Sequence, residues 1–270
     1  MIAFRSAAFA VLALLWTTAL CIAFVPFLAT PRRHTQRAAA VWCRGLITLV
    51  RWCCNIDWQV DGRENLPRGA ALLAAKHQSA WETLIFYILL DDPVFVLKRE
   101  LLNVPLLGWY LKKTGNIAID RSAGFRAMKT LLPGVEAALA EGAQVIVFPE
   151  GTRSPPGVHT PYHPGIAALY ARMNVPVTPV ALNSGLFWGR KRFLKFPGTI
   201  TIEFLPPIPP GLERAGFLGE LELQIEEAST RLCALPYGTA ASACSTPPQT
   251  PPSSSPMETM ADGIDDGRIH

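Results

Sequence analysis

The sequence predicts an α/β fold with a mixed, mostly parallel sheet flanked by helices, preceded by an N-terminal membrane helix and an interfacial amphipathic helix. Short apolar runs alternate with helical stretches, which is typical of a sheet covered on both faces. An apolar run without charges begins the chain. Half of the residues are apolar and only 17% are charged, whereas charged residues make up about 25% of an ordinary soluble protein. This composition favours a membrane-associated protein.

The length of 270 residues suits one sizeable domain with appendages. We divide the chain into membrane-anchoring helices over 1–55, a globular domain over 56–236 and a tail over 237–270. The tail is rich in Pro, Ser and Thr and has few apolar residues, so we expect it to be disordered.

The first element is an uncharged run from Ser6 to Leu28. At about 1.5 Å per residue a helix over this run reaches roughly 34 Å, enough for a bilayer core of about 30 Å. One arginine precedes the run, whereas Arg32, Arg33 and Arg37 follow it. The positive-inside rule therefore places the C-terminal flank and the folded body in the cytoplasm. A cleaved signal peptide and a helix lying in one leaflet are the alternatives.

The second element is an amphipathic helix over Gln36–Cys54. Arginines recur every seven residues on one face, and apolar side chains occupy the opposite face: Arg37, Arg44 and Arg51 against Trp42, Leu46, Leu49 and Cys53. A basic stripe opposite an aromatic and aliphatic stripe is typical of a helix in the headgroup zone. The alternative is an ordinary amphipathic helix packed on the domain.

The globular region begins near Asp57, and six apolar runs in it predict buried strands: Ala70–Ala75, Val94–Leu97, Asn116–Ile119, Gln144–Phe148, Val177–Leu182 and Thr199–Phe204. Helices are predicted over Ala80–Leu90, Ser122–Glu141, Gly165–Met173 and Gly216–Leu235. Pro133-Gly134 predicts a kink or two short helices within the second of these.

Basic residues cluster at the start of the amphipathic helix and again at Arg190, Lys191, Arg192 and Lys195. Such patches suit an anionic membrane surface, with nucleic acid as the disfavoured alternative. Two segments mix aromatic with basic residues, 98–110 and 186–193, and could dock on the bilayer; plain core is the alternative for their apolar part. The six cysteines show neither C-x-x-C nor zinc-ligand spacing, which favours a reducing compartment. His159 and His163 are isolated on a loop, so we expect no metal.

The chemistry is predicted to lie in the segment Lys76–Thr83. His77 follows a buried strand, and open α/β sheets build their sites at the carboxyl ends of strands. Imidazole changes charge near neutral pH, so this residue is suited to general-base catalysis. Glu82 has two possible roles: it could orient the imidazole, or it could accept the Ser79 backbone N–H in a capping box.

Two further strand ends deliver an acid and an arginine, Asp120-Arg121 and Glu150-Gly151-Thr152-Arg153. The planar fork of arginine matches the oxygens of a phosphate two at a time. The two arginines therefore predict a cationic pocket beside His77, in which Gly151 would allow close approach of the backbone. Taken singly, each arginine could instead form a surface ion pair with its acidic neighbour.

These segments together resemble the glycerolipid acyltransferases, specifically the 1-acylglycerol-3-phosphate acyltransferase family. Four blocks carry the resemblance in the order of that family: His77 with Glu82, Gly115–Arg121, Phe148–Arg153, and the apolar Val175–Asn183 with its central proline. The third block matches Phe-Pro-Glu-Gly-Thr-Arg without a gap. The first departs from the family, which has an aspartate where this chain has Glu82.

The resemblance implies transfer of a fatty acyl group from acyl-CoA or an acyl carrier protein to the 2-hydroxyl of lysophosphatidic acid, giving phosphatidic acid. It implies His77 as general base and Glu82 as its orienting acid, with no protein nucleophile and no cofactor beyond the acyl co-substrate. The implied residues for the phosphate and glycerol are Gly115, Arg121, Glu150, Gly151, Thr152 and Arg153. The alternatives are another lysolipid acceptor such as a lyso-ornithine lipid, a hydrolase, or a non-catalytic lipid-binding protein of this fold.

Overall fold

The computed structural model describes residues 1–120, 124 and 126–234. The predicted phosphate ligand Arg121 and the predicted tail over 237–270 lie outside these residues. The described chain forms eight α-helices and seven strands. The helices are α1 Ile2–Ala23, α2 Arg32–Cys54, α3 Trp81–Leu89, α4 Leu107–Lys113, α5 Met128–Ala140, α6 Gly165–Met173, α7 Ser184–Phe187 and α8 Arg214–Ala234. The strands are β1 Ile56–Asp61, β2 Ala71–Ala75, β3 Pro93–Lys98, β4 Ile117–Ile119, β5 Gln144–Val147, β6 Val177–Leu182 and β7 Gly198–Phe204.

The strands form one sheet in the order β1-β7-β6-β2-β5-β3-β4. Five adjacent strands, from β6 to β4, run parallel, whereas β7 is antiparallel to β6 and carries β1 parallel to itself. In β2, Leu73 is paired with Ile146 on one side and Thr178 on the other. This arrangement confirms the predicted fold class.

The two faces of β2 contribute to two different cores. Leu73 and Ala75 pack with α2 and α3, whereas Leu72 and Ala74 pack with α5, α6 and α8. Side chains alternate between the faces of a strand. If the alternation continues past Ala75, the side chain of Lys76 points toward α8 and that of His77 toward α3.

Strand β1 was not predicted from the sequence, and α5 is one helix rather than the two short helices that were predicted as the alternative to a kink. Along β1, half-buried and exposed positions follow the buried Ile56, because this strand forms one edge of the sheet. An edge strand lacks the continuous apolar run that marked the central strands. Pro133 lies inside the single helix α5, and a Cβ on Gly134 would lie 3.1 Å from Ile117. The glycine therefore allows α5 to pack closely on β4.

The uncharged N-terminal run is not one continuous helix. Helix α1 ends at Ala23, and a 3-10 turn with Pro26 in its first positions covers Val25–Ala29. With a mean hydropathy of 2.0, α1 is the one helix in the described chain that is long and apolar enough to cross a membrane. The helix predicted over Ser6–Leu28 therefore ends at Ala23, about one turn earlier than predicted.

Helix α1 packs antiparallel on α2, and the two are not set apart from the globular domain. Trp16 Nε1 donates to the Trp42 carbonyl at 3.1 Å, and a Cβ on Gly45 would lie only 2.2 Å from the Trp16 ring. Both ends of α1 reach the body: Ser6 Oγ accepts the Lys195 backbone N–H at 2.9 Å, and Tyr110 donates to the Cys21 carbonyl at 2.7 Å.

The basic face predicted for α2 is confirmed, since Arg37, Arg44 and Arg51 are all exposed. The opposite face packs into the domain core more deeply than predicted, through Cys43, Leu46, Ile47, Val50 and Cys54. Trp42, Leu49 and Cys53 are only half-buried. The structure thus favours the alternative of an amphipathic helix packed on the domain.

Candidate active site

The candidate site lies where three adjacent parallel strands end. Strands β6, β2 and β5 are neighbours, so the segments that follow them meet at one edge of the sheet. These segments are 76–80 after β2, 148–154 after β5 and 183–187 after β6. The sequence prediction that the site occupies the carboxyl ends of the strands agrees with this placement.

His77 and Glu82 form a hydrogen-bonded pair. His77 Nδ1 lies 2.8 Å from Glu82 Oε1, and the Glu82 side chain is fully buried. The imidazole stacks on the Phe148 ring with the centroids 3.9 Å apart and the planes at 16°. With Nδ1 engaged, Nε2 is the ring nitrogen left for a substrate, and the stacking fixes the plane in which it works.

Glu82 performs both of the roles between which the sequence could not choose. The oxygen that faces His77 also accepts the backbone N–H groups of Gln78 at 2.7 Å and Ser79 at 2.6 Å. The other oxygen accepts the Ser184 hydroxyl at 2.9 Å. The cap is not reciprocal, because Ser79 Oγ accepts the N–H of Trp81 rather than that of Glu82. One carboxylate therefore caps α3 and contacts the imidazole at once.

The Glu150 carboxylate faces Lys76 and not the neighbouring Arg153. The carboxylate lies 3.1 Å from Lys76 Nζ, accepts the His77 backbone N–H at 3.3 Å and accepts the Ser154 hydroxyl. Burial raises the pKa of Glu150, and the Lys76 ammonium opposes that shift. Lys76 lies 74 positions earlier in the chain, and the pairing of β2 with β5 brings the two residues together.

Arg153 is half-buried, and no ion pair joins its guanidinium to another residue in the described part of the chain. Its carbonyl accepts Arg190 Nη1 at 2.9 Å. Thr152 beside it is exposed. Gly151 adopts φ +66°, and a Cβ there would lie 2.6 Å from the His163 ring. The glycine thus serves a left-handed turn packed on His163, and its expected role in the close approach of a ligand stays a prediction.

Gly115 lies away from this edge of the sheet. Ile117 is paired with Val96 of β3, so Gly115, two residues earlier, is level with Val94. The pairings of β3 with β5 and of β5 with β2 then place Gly115 level with Leu72, near the start of β2. That position is about 10 Å before the end of β2. A Cβ on Gly115 would lie 2.6 Å from Arg32 Nε. Its positive φ of +80° and the packing of Arg32 explain the glycine, and the structure does not bring it to His77.

Three residues of the site were missed by sequence reasoning. Ser184 contacts Glu82, Gln78 Oε1 accepts the Gly185 N–H at 3.0 Å, and Lys76 forms buried ion pairs. Only Lys76 gave a signal in the sequence, because a charged residue that continues a buried strand must find a partner. Ser184 follows β6 and reaches Glu82 only through the strand order.

An apolar cavity of about 80 Å³ lies on the same side of the sheet, between α1, α2, α3 and α4. Its lining includes Leu20, Trp42, Leu111 and Tyr87. Aromatic rings join it to the site: Tyr87 is 5.5 Å from Phe95, Phe95 is 6.3 Å from Phe148, and Phe148 stacks on His77. A row of packed aromatic rings thus connects the cavity with the imidazole.

Comparison with known proteins gives consistent results. The acyltransferase family profile matches residues 57–183. A 1-acyl-sn-glycerol-3-phosphate acyltransferase from Pseudomonas aeruginosa is 38% identical over 202 residues, which cover 75% of this chain and 77% of the relative. An enzyme of the same name from Limnanthes alba is 31% identical over 59% of this chain, and the match spans 57% of the length of that relative. The crystal structure of the 1-acyl-sn-glycerophosphate (LPA) acyltransferase PlsC from Thermotoga maritima superposes with a TM-score of 0.69, at 21% identity, over 85% of this chain and 95% of the other.

Proposed function

Because the chain belongs to the 1-acyl-sn-glycerol-3-phosphate acyltransferase family, we propose that it moves a fatty acyl group from a thioester to the 2-hydroxyl of 1-acylglycerol-3-phosphate, giving phosphatidic acid. The resemblance seen in the sequence is confirmed by that membership. The observation that carries the proposal is the His77–Glu82 pair together with the nearby Arg153, whose guanidinium has no ion pair within residues 1–120, 124 and 126–234. The donor is acyl-CoA or an acyl carrier protein, and the proposal needs no cofactor beyond it.

In this reaction His77 acts as the general base. Its Nε2 takes the proton of the 2-hydroxyl while the hydroxyl oxygen attacks the thioester carbonyl carbon. The buried Glu82 carboxylate stabilises the imidazolium that forms and holds its tautomer. The tetrahedral intermediate then collapses, the carbon–sulfur bond breaks, and the imidazolium returns its proton to the leaving thiolate. The products are the ester and a free thiol, and no acyl-enzyme is formed.

The phosphate of the acceptor would be bound by Arg153, with Arg121 as the second arginine. Charge-assisted hydrogen bonds contribute roughly 1.5–3 kcal/mol each, so two arginines are enough to fix the neighbouring hydroxyl near His77. Support comes from Arg153, which is half-buried and keeps its side chain unpaired among the described residues. Thr152 is exposed beside it and could add a hydroxyl donor.

We infer that the lipid reaches the site from a membrane on which α1 lies, with the body on the cytoplasmic side. The outer face of α1 exposes large apolar side chains, among them Phe4, Leu14 and Leu15. Trp109 beside α1 and Phe193 in the basic segment after α7 are also more than half exposed. Such a surface suits a helix in the interfacial zone. The apolar cavity between α1 and α4 would accommodate part of a hydrocarbon chain.

The test supplies the purified full chain with lysophosphatidic acid or other lysolipids and with acyl-CoA or acyl carrier protein of graded chain length, and identifies the product. We expect phosphatidic acid, loss of turnover in His77→Ala with retained folding, and a raised acceptor KM in Arg153→Ala. Arg172→Ala is the matched control, since Arg172 is an exposed arginine far along α6 that pairs with Glu136. Turnover by His77→Ala would refute the general base. A preference for an acceptor without phosphate, or an unaltered acceptor KM in Arg153→Ala, would refute the phosphate assignment.

A further inference from the structure

A buried cluster of charged groups lies on the face of β2 opposite to His77. Lys76 is 2% exposed, and its Nζ lies 2.6 and 2.9 Å from the two carboxylate oxygens of Glu226 on α8. The same nitrogen lies 3.1 Å from Glu150. Tyr162 donates its hydroxyl to Glu226 at 2.9 Å. The ammonium is therefore shared by two carboxylates that belong to different elements.

The cluster reaches the catalytic histidine through the backbone. Glu150 accepts the His77 N–H at 3.3 Å, and the Ser154 N–H donates to the His77 carbonyl at 2.8 Å. The Ser154 hydroxyl in turn donates to Glu150. Both polar groups of the His77 backbone are thus held by the segment that follows β5, and that segment is held by Lys76.

The charges of the cluster depend on one another. Two carboxylates and one ammonium leave a net negative charge, which the hydroxyls of Tyr162 and Ser154 help to stabilise. Burial raises the pKa of Tyr162, and the neighbouring Glu226 carboxylate raises it further. The Tyr162 hydroxyl therefore keeps its proton and remains a donor. If Lys76 lost its charge, Glu150 would be buried without a cation, which is strongly destabilising, and the partly exposed Glu226 carboxylate would lose its nearest cation.

We propose that Lys76 and Glu226 form a positioning pair that sets the place of His77, so that α8 belongs to the machinery of the reaction. Neither residue touches the reacting atoms. Glu226 holds Lys76 from α8, Lys76 holds Glu150, and Glu150 holds the His77 backbone. The inference rests on the proposed function only in that it assigns the chemistry to His77.

The main test is Glu226→Gln, which keeps the size of the side chain and one acceptor oxygen but removes the charge that holds Lys76. A misplacement of the base by a fraction of an ångström lowers the rate of the chemical step, so we expect kcat to fall roughly ten- to hundredfold. Both substrate KM values should stay within about twofold of the wild type. Amide hydrogen exchange in residues 77–79, measured by mass spectrometry, should become faster. If the role of Glu226 were purely structural, Glu226→Gln would lower the amount of folded protein but would not lower kcat while KM stays unchanged.

The matched control is Glu222→Gln, one turn earlier on α8, whose carboxylate pairs with the exposed His159 at 2.5 Å. It removes the same charge from the same helix and should leave kcat and the exchange of residues 77–79 unchanged. A second pair of variants tests the electrostatics. Lys76→Met should be the most impaired, and Lys76→Met/Glu226→Gln should recover part of its activity, because one of the two uncompensated carboxylates is gone.

Wild-type kcat and wild-type exchange in Glu226→Gln would overturn the positioning pair. Equal impairment of Glu222→Gln would also overturn it, because the effect would then belong to the charge of α8 as a whole. If the wild-type chain transfers no acyl group to any lysolipid, the proposed function fails instead. The exchange measurement still decides the positioning pair in that case, since it needs no turnover.

Discussion

At the scale of single residues, Glu82 shows how one carboxylate can serve two purposes. One of its oxygens receives two backbone N–H groups and also faces His77, while the other receives the Ser184 hydroxyl. The family has an aspartate at this position. The extra methylene of glutamate adds about one bond length of reach, and the carboxylate here uses it without giving up the cap of α3.

We expect Ser184→Ala to lower kcat roughly tenfold with little change in either KM. The hydroxyl is the donor that fixes the second oxygen of Glu82, and hydrogen bonds to charged groups contribute about 1.5–3 kcal/mol. Steady-state kinetics together with a thermal unfolding midpoint separate this effect from loss of fold. Ser229→Ala is the control, because the buried hydroxyl of Ser229 has no hydrogen-bond partner in the part of the chain that the structure describes. Equal kcat in the two variants would show that Ser184 does not orient the acid.

Sequence reasoning succeeded where the partners of a residue are close along the chain and failed where they are distant. His77 lies just before α3 and Glu82 lies in the first turn of that helix, so their contact could be expected from spacing alone. Glu150 turned out to face Lys76, and Gly115 to pack on Arg32, because the fold joins positions more than 70 residues apart. Ser184 could not be found at all from the sequence, since nothing in the sequence indicates that β6 lies beside β2.

At the scale of elements, the same physics explains which strands were predicted. Strands β2, β5 and β6 are central and buried on both faces, so they appear as unbroken apolar runs. The edge strand β1 has polar residues at alternate positions and gives no such run. Helices α1 and α2 were expected to anchor the chain, but the close packing of α1 on α2 depends on Gly45, whose importance no local pattern indicates.

Gly45→Ala should loosen the contact between α1 and α2. A Cβ there would overlap the Trp16 ring, so the change should destabilise the fold by about 1–3 kcal/mol despite the better helix propensity of alanine. Chemical denaturation followed by tryptophan fluorescence measures this. Gly219→Ala on α8 is the matched control, because a Cβ at that position meets nothing within 4 Å. We expect that variant to be slightly more stable than the wild type, and stabilisation by Gly45→Ala as well would contradict the packing argument.

At the scale of the whole molecule, the two faces of the sheet carry groups with different roles. The side with α1, α2 and α3 carries the exposed apolar surface, the apolar cavity and the His77 ring. The side with α8 carries the Lys76 cluster, which holds the backbone of that same histidine. A lipid can thus approach from one side while the charges that position the base remain shielded on the other.

The last prediction concerns how the whole molecule meets the membrane. Both ends of α1 contact the body, at Lys195 and at Tyr110, so we propose that α1 lies in one leaflet, which the sequence left open as an alternative to a spanning helix. We expect an epitope tag placed before Met1 to lie on the same side as a tag placed at the C-terminus, and both to be protected in sealed cells and accessible after permeabilisation. A periplasmic marker protein serves as the control for sealing. Exposure of the N-terminal tag alone in sealed cells would establish a spanning helix, and α1 would then have to leave Lys195 in the membrane-bound state.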